Sequence, residues 1–144
     1  MKDLFIAAMV LLASAQSFAQ DRGLEVFSRN CMVCHQEKGE GMPGFAPKLA
    51  GTLVNRSKTE AGRRYFAQLV VSGMMGPIIS GGEKFNAAMP SFSTLSNEDI
   101  VAVLGYVLGE LNGASNEAHV TAEDVSAARR QVMSPVMVHR LRDR

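Results

Sequence analysis

Two cysteines and a histidine lie within five residues of one another near the start of this chain. The segment Cys31-Met32-Val33-Cys34-His35 reads C-x-x-C-H, the pattern by which a c-type haem is attached to a protein. Thiols three positions apart can each form a thioether with one vinyl group of the same porphyrin, and the next residue can bind the iron. The motif therefore predicts one haem c, covalent through Cys31 and Cys34, with His35 as an axial metal ligand.

Three other chemistries are open to this cysteine pair. Cys31 and Cys34 are the only cysteines of the chain, and in an exported protein they could form a disulfide. A thioredoxin-like redox motif requires a βαβ context, and the sequence shows no clear strand. A structural zinc site requires four ligands, and no second Cys or His pair accompanies this one. The adjacent histidine favours haem attachment over all three.

A methionine followed by a proline is the leading candidate for the second axial ligand. A thioether is a soft ligand that raises the potential of a haem iron. Of the nine methionines, Met89 precedes Pro90, whose fixed φ helps to hold an extended loop in one shape. Met74 and Met75 are the competing candidates, and ordinary core packing is the alternative role for Met89.

Length and charge limit the possible classes of protein. The chain has 144 residues and a formal net charge of +1, which favour a single domain with no strongly charged partner such as a nucleic acid. Tryptophan is absent and aromatic residues are few. A buried porphyrin would therefore add apolar surface that a chain of this size needs.

The N-terminus has the pattern of an export signal. Lys2 is followed by an apolar run from Leu4 to Ala13 and by the small-residue site Ser17-Phe18-Ala19, as in a secretory signal peptide. We expect cleavage near Ala19 and a periplasmic mature protein with no transmembrane span. An uncleaved membrane anchor is the alternative, although the apolar run is short for a bilayer.

Periodicity predicts an all-α protein with three to four core helices. We expect helices over residues 21–30, 59–72 and 96–111, separated by a Gly/Pro-rich loop over residues 39–51 and an irregular segment over residues 73–90. The apolar stripes assigned to these helices are Leu24, Phe27 and Cys31; Tyr65, Phe66, Leu69 and Val70; and Ile100, Val103, Leu104, Val107, Leu108 and Leu111.

Residues 21–111 resemble a bacterial class I monohaem cytochrome c. In that family a Gly and an aromatic residue precede the haem motif, as Gly23 and Phe27 do here, and an aromatic residue of the last helix packs across the first. Tyr106, with Gly105 beside it, matches that aromatic position. A crossing of this kind is physically reasonable, because a missing side chain lets two helices approach and a ring fills the remaining gap.

The same resemblance implies roles for the loop that follows the haem motif. The Pro47 carbonyl would accept a hydrogen bond from the second ring nitrogen of His35, which fixes the ring and strengthens it as a ligand. Leu49 would pack on the haem. The early position of the cysteine pair excludes the four-helix-bundle cytochromes c′, in which the motif lies near the C-terminus.

Residues 113–144 extend beyond the compact family. Thr121 and Asp124 indicate a capping box, Val125, Ala128 and Val132 form a weak apolar face, and Ser134-Pro135 indicates a second helix start. From Thr121 onward the charges have a positive excess of two. A helical hairpin is favoured over a docking tail for an acidic partner. His119 and His139 lie here too and are expected to be solvated rather than bound to iron.

These observations predict a periplasmic electron carrier with His/Met ligation, built as a signal peptide (1–19), a cytochrome c domain (20–112) and a helical extension (113–144). No catalytic residue is assigned, because no acid–base group accompanies an open iron site. The alternatives are a haem subunit of a periplasmic oxidoreductase, or a gas-binding module. We expect a monomer, or a transient complex with a periplasmic dehydrogenase, oxidase or reductase.

Overall fold

The computed structural model describes residues 21–142 and confirms the mainly α-helical prediction. The signal peptide assigned to residues 1–19 lies outside the described residues. The helices are residues 21–30 (α1), Met32–His35 (α2), Val54–Ser57 (α3), Glu60–Ser72 (α4), Asn97–Gly105 (α5), Ala122–Arg130 (α6) and Pro135–Arg142 (α7), with a π-helical turn at Tyr106–Glu110 and a 3₁₀ turn at Asn116–Ala118.

Helix α4 is the central helix, against which α3, α5, α6 and α7 all pack. The Thr59 hydroxyl accepts a hydrogen bond from the Gly62 N–H at the helix start, which satisfies one of the free amides of the first turn. Tyr65, Phe66 and Val70 are buried as expected, and Leu69 is partly buried. The helix ends where Gly73 adopts φ 71°, a conformation that residues with a Cβ rarely adopt.

Helices α1 and α5 cross at a glycine. A Cβ on Gly23 would lie 2.4 Å from the Ala102 carbonyl oxygen and 2.8 Å from the Tyr106 Cβ. The Phe27 and Tyr106 rings lie beside this point with centroids 5.3 Å apart. Only Gly23 permits the approach, because a Cβ on Gly105 would meet no atom within 4 Å.

The apolar face predicted for α1 was wrong in one position. Leu24 is exposed, whereas Val26 and Phe27 are buried. The crossing explains the difference, since α1 turns the face that contains Gly23 toward α5, and Val26 lies three residues further on that face.

Helix α5 continues without a break into the π-helical turn. Ser96 caps its start by accepting the Asp99 N–H, and the Leu111 N–H bonds to the Tyr106 carbonyl five residues earlier. Asn112 then joins two segments: its amide donates to the Val107 carbonyl at 2.7 Å, and its side-chain oxygen accepts the Leu53 N–H at 2.9 Å. The end of the last core helix is thereby tied to the start of α3.

The expectation of no strand was wrong. Ile78–Ser80 (β1) and Glu83–Phe85 (β2) form an antiparallel hairpin with Ile78 opposite Phe85. Gly81 and Gly82 connect the strands with φ values of 59° and 83°, which fit the two-residue turn that favours glycine. This Gly-Gly pair between short β-prone runs is a hairpin signal that the sequence did contain.

The C-terminal extension (residues 113–144, described to 142) packs on the helical core through α6 and α7. The capping box of Thr121 and Asp124 is present. Val125 and Val138 are fully buried, and α7 begins with Pro135 at its first position. Val132 is 90% exposed, contrary to the predicted apolar face, because α6 ends at Arg130 before reaching it. No helix among residues 21–142 combines the length and apolarity that crossing a bilayer demands.

Candidate haem site

Cys34 and His35 lie on the short helix α2, and Cys31 is the single turn residue that joins α1 to it. The Cys31 N–H bonds to the Phe27 carbonyl at 2.8 Å, and the His35 N–H bonds to the Cys31 carbonyl at 2.9 Å. Both cysteines are free thiols in partly buried positions, so the structure contains no disulfide between them. Burial and the neighbouring Cys34 raise the pKa of Cys31 to about 11, which keeps its thiol protonated at neutral pH.

His35 is buried with one ring nitrogen already engaged. Its Nδ1 lies 3.0 Å from the Pro47 carbonyl oxygen, and since a carbonyl only accepts, Nδ1 must bear the hydrogen. Burial lowers the pKa of His35, and the bond to Pro47 opposes that shift in part. The ring is therefore neutral at pH 7, with the lone pair of Nε2 available for a metal.

We call residues 31–51 the attachment segment, and its hydrogen bonds are local except at its end, where the Gly51 N–H bonds to the Leu111 carbonyl at 3.0 Å. The Gly41 N–H bonds to the His35 carbonyl at 2.9 Å, and the Leu49 N–H bonds to the Gly39 carbonyl at 2.8 Å. Gly41 has φ 78°, and a Cβ there would lie 2.6 Å from the Ala46 oxygen, so only glycine fits this turn. Leu49 is partly buried against the apolar core.

We call residues 73–95 the methionine segment. Met74 and Met89 form a two-way backbone bridge, with N–H to oxygen distances of 3.0 and 2.9 Å. Residues that exchange both hydrogen bonds in an antiparallel pair project their side chains to the same face. Gly73 lies against the chain at this point, where a Cβ would be 2.5 Å from the Met89 carbonyl oxygen.

The three candidate methionines differ in their surroundings. Met74 is buried, with its sulfur 3.6 Å from the Tyr65 hydroxyl. Met75 is 52% exposed and its N–H bonds to the Pro135 carbonyl. Met89 is partly buried against the core. Its sulfur has no hydrogen-bond donor among the contacts of the described residues.

The two histidines of the extension were expected to be solvated, but both are partly buried. His119 is partly buried, and its Nε2 is enclosed without a hydrogen-bond partner within the described residues. His139 contacts the methionine segment, with Nε2 2.7 Å from the Pro77 carbonyl oxygen. Sequence reasoning missed this contact, because nothing local to His139 indicates a partner 62 residues away.

The residues present fit a covalently attached haem. Two free thiols lie three positions apart, a neutral buried imidazole has no hydrogen bond to its Nε2 within residues 21–142, and a thioether is supplied by the methionine segment. Partly buried apolar side chains of both segments and of α3's entry supply a non-polar environment, namely Met32, Leu49, Leu53, Met89 and Phe92.

Comparison with known families agrees with this fold and with covalent haem attachment. Residues 20–109 match the family model for cytochrome c, which is more than half of the chain. The chain therefore belongs to the cytochrome c family, and the predicted class I monohaem type and covalent haem c are confirmed. Proteins of this family transfer electrons between redox partners.

Two similar proteins are cytochromes c-552 of Thermus thermophilus. One is 34% identical over 131 residues, covering 89% of this chain and 88% of the relative. The other is 34% identical over 122 residues, covering 83% of this chain and 92% of the relative. Because 89% of this chain exceeds the 112 residues before Gly113, the first similarity includes part of the C-terminal extension.

Proposed function

We propose that this chain is a periplasmic electron carrier in which His35 and Met89 bind the haem iron on opposite sides. The observation that carries the proposal is the neutral, buried His35 ring, which the Pro47 carbonyl fixes through Nδ1 while no described residue bonds to Nε2. The bound haem supplies a one-electron couple at its iron. The protein's part is to hold two ligands that stay in place in both oxidation states.

Pro47 and Leu49 support the histidine side of this site. The Pro47 carbonyl sets the tautomer and the orientation of the ring, and a hydrogen-bonded imidazole is a better donor to a metal. Leu49 lies two residues further along the same loop and is partly buried, where it can exclude water from the haem face.

Met89 is favoured over its neighbours by their competing contacts. The Tyr65 hydroxyl donates a hydrogen bond to the sulfur of Met74, and Met75 is 52% exposed to solvent. The backbone of Met89 is held at both its N–H and its carbonyl by Met74, and Pro90 follows. A ligand on a backbone fixed in this way changes position little when the iron changes charge.

The exposed surface beside the thioethers is the proposed route for electrons. Val33, between the two cysteines, is 75% exposed, so a partner can approach α2 closely there. Small, transient contacts suit such exchange. The proposed partners are a periplasmic dehydrogenase, oxidase or reductase.

The proposed export signal is residues 1–19. A mass measurement of the mature protein should show that these residues are removed near Ala19.

Three matched substitutions test the ligand assignment. We expect Met89→Leu to abolish the Fe–S charge-transfer absorption of the oxidised protein, since leucine keeps the side-chain bulk and removes the sulfur. Met74→Leu and Met75→Leu should retain the band. Loss of the band in Met74→Leu, with retention in Met89→Leu, would assign the ligand to Met74 instead.

Carbon monoxide separates a carrier from the two other functions. Reduced protein with Met89 bound should not take up carbon monoxide at neutral pH, whereas Met89→Leu should bind it rapidly. Rapid uptake by the unaltered protein would favour an enzyme subunit or a gas-binding module, because both require an accessible iron site.

A further inference from the structure

The C-terminal extension holds the first part of the methionine segment by three hydrogen bonds. The Pro135 carbonyl accepts the Met75 N–H at 3.1 Å. His139 Nε2 lies 2.7 Å from the Pro77 carbonyl, and the Arg142 guanidinium donates to the Ile79 carbonyl at 3.0 Å. All three come from α7 or from its first residue, which places one face of this helix along the segment.

The extension also holds the far end of the segment, through α6. Arg129 donates to the Ser93 carbonyl at 2.8 Å, to the Leu95 carbonyl and to the Asn97 side-chain oxygen at 2.6 Å. Met89 therefore lies between two stretches of chain that the extension fixes. The positive charge of the extension suggested a docking surface, but Arg129, Arg130 and Arg142 all make contacts within the molecule, Arg130 with Glu123.

Among the three contacts of α7, that of His139 is the shortest. Gly76 has φ 142°, and a Cβ there would lie 2.8 Å from the His139 ring, so the ring rests directly on the backbone. A carbonyl only accepts, so Nε2 of His139 bears the hydrogen that Pro77 receives. The neighbouring Val138 is fully buried, which fixes the helix turn from which the ring projects.

A short path connects this contact to the proposed ligand. Gly76 is two residues from Met74, and Met74 exchanges both backbone hydrogen bonds with Met89. Displacement of the backbone at residues 76–77 would therefore disturb the bridge that fixes Met89. The path consists only of covalent backbone and two hydrogen bonds.

We propose that His139 is a positioning residue for the methionine ligand: its bond to Pro77 and its packing on Gly76 keep the methionine segment closed and Met89 at the iron. The inference rests on Met89 ligation as proposed above. The consequence is that the extension controls how readily the iron-bound sulfur is displaced, in addition to stabilising the fold.

The test uses the full-length haem protein with three substitutions of one residue. His139→Gln keeps an N–H donor, His139→Phe keeps a ring without the donor, and His139→Ala removes both. Thr121→Ala is the control, because it breaks the α6 capping box, whose bonds are all to Asp124, and leaves the α7 contacts in place. Cyanide, which must displace the methionine, is added to the ferric protein at neutral pH, and amide hydrogen exchange is followed at Met74 and Met89.

We expect His139→Ala to bind cyanide about fivefold faster, the order of effect expected from losing one hydrogen bond, and to exchange both amides faster. The cyanide-binding rate of His139→Gln should be nearest that of the unaltered protein, and the rate of His139→Phe should lie between those of His139→Gln and His139→Ala. Thr121→Ala should lower the melting temperature without changing either readout.

Two results would overturn the positioning role. One is an unchanged cyanide rate and unchanged exchange in His139→Ala. The other is equal acceleration in His139→Ala and Thr121→Ala, which would mean that general destabilisation suffices. Failure of Met89 ligation is distinguishable, because Met89→Leu would then bind cyanide as slowly as the unaltered protein. Faster amide exchange in His139→Ala would still show that His139 holds the methionine segment.

Discussion

The attachment segment and the methionine segment present the two proposed ligands, yet contacts of different range along the chain hold them. His35 is oriented by Pro47, 12 residues away, and by the turn at Gly41. The methionine segment is held by His139 and Arg142, 62 and 63 residues from their acceptors, and by Arg129, 36 residues from Ser93. His35 is oriented by its own loop, whereas the segment that carries Met89 is also held by a remote part of the chain.

This difference assigns different weaknesses to the two sides. A change in the extension should loosen the methionine side and leave His35 in place. A change at the crossing of α1 and α5 should affect the helix that leads into the haem motif. Each substitution below therefore acts mainly on one side.

The largest effect is expected at the helix crossing. Gly23→Ala would place a Cβ 2.4 Å from the Ala102 carbonyl oxygen, and backbone must move to accept it, at a cost of about 2–3 kcal/mol in unfolding free energy. Gly105→Ala is the matched control, since a Cβ there meets nothing within 4 Å and alanine should stabilise a helix interior by about 0.5–1 kcal/mol. Denaturant unfolding of both variants measures the contrast.

Stability that falls equally in both variants would show that α1 and α5 do not meet at Gly23. In Gly23→Ala the Fe–S band should persist in the folded fraction, because the methionine segment is not part of this crossing.

A smaller effect is expected at α7. Val138→Ala removes two buried methyl groups and should cost about 2 kcal/mol of unfolding free energy. Val132→Ala makes the same change at a side chain that is 90% exposed and should be nearly neutral. Thermal unfolding gives the stabilities, and the Fe–S band of Val138→Ala should disappear at a lower temperature than the Soret band shifts. Simultaneous loss of both signals would contradict the view that the His35 side and the methionine segment are held by separate contacts.

The smallest effect concerns the ion pair that joins α1 to α5. Arg22 bonds to Asp99 at 2.8 Å, and this hydrogen bond is the main cause that lowers the pKa of the Asp99 carboxyl. Its contribution is present above the pKa of the unfolded carboxyl, about 3.9, and is lost as pH falls through the lower folded value. Because the pair is largely exposed, the contribution is about 0.5 kcal/mol.

Asp99→Asn should therefore be less stable than the unaltered protein at pH 7, and the stability difference should begin to narrow near pH 4 and close as the pH falls further. Glu98→Gln removes a neighbouring first-turn carboxylate that is outside the Arg22 pair and is the control. A gap that stays constant from pH 7 to pH 3 would show that the ion pair is not its source.

Sequence reasoning succeeded where the determining contacts are local. The haem motif, the caps at Thr59, Ser96 and Thr121, and the helix bounds that depend on them follow from residues a few positions apart. The hairpin was missed although its signal is local, because a Gly81-Gly82 pair is equally typical of an irregular loop. The anchoring by His139 and Arg129 could not be predicted, since their acceptors are backbone carbonyls, which every residue has.

The crossing at Gly23 has a consequence for the order of events in maturation. Contact of Gly23 with Tyr106 closes a loop of about 80 residues, and long loops close late and slowly. The cysteines are synthesised well before α5, since synthesis begins at the N-terminus. Once the fold closes, the pKa of Cys31 rises to about 11, and about one thiol in ten thousand is then ionised at pH 7. Thioether formation is thus favoured while the chain is still open.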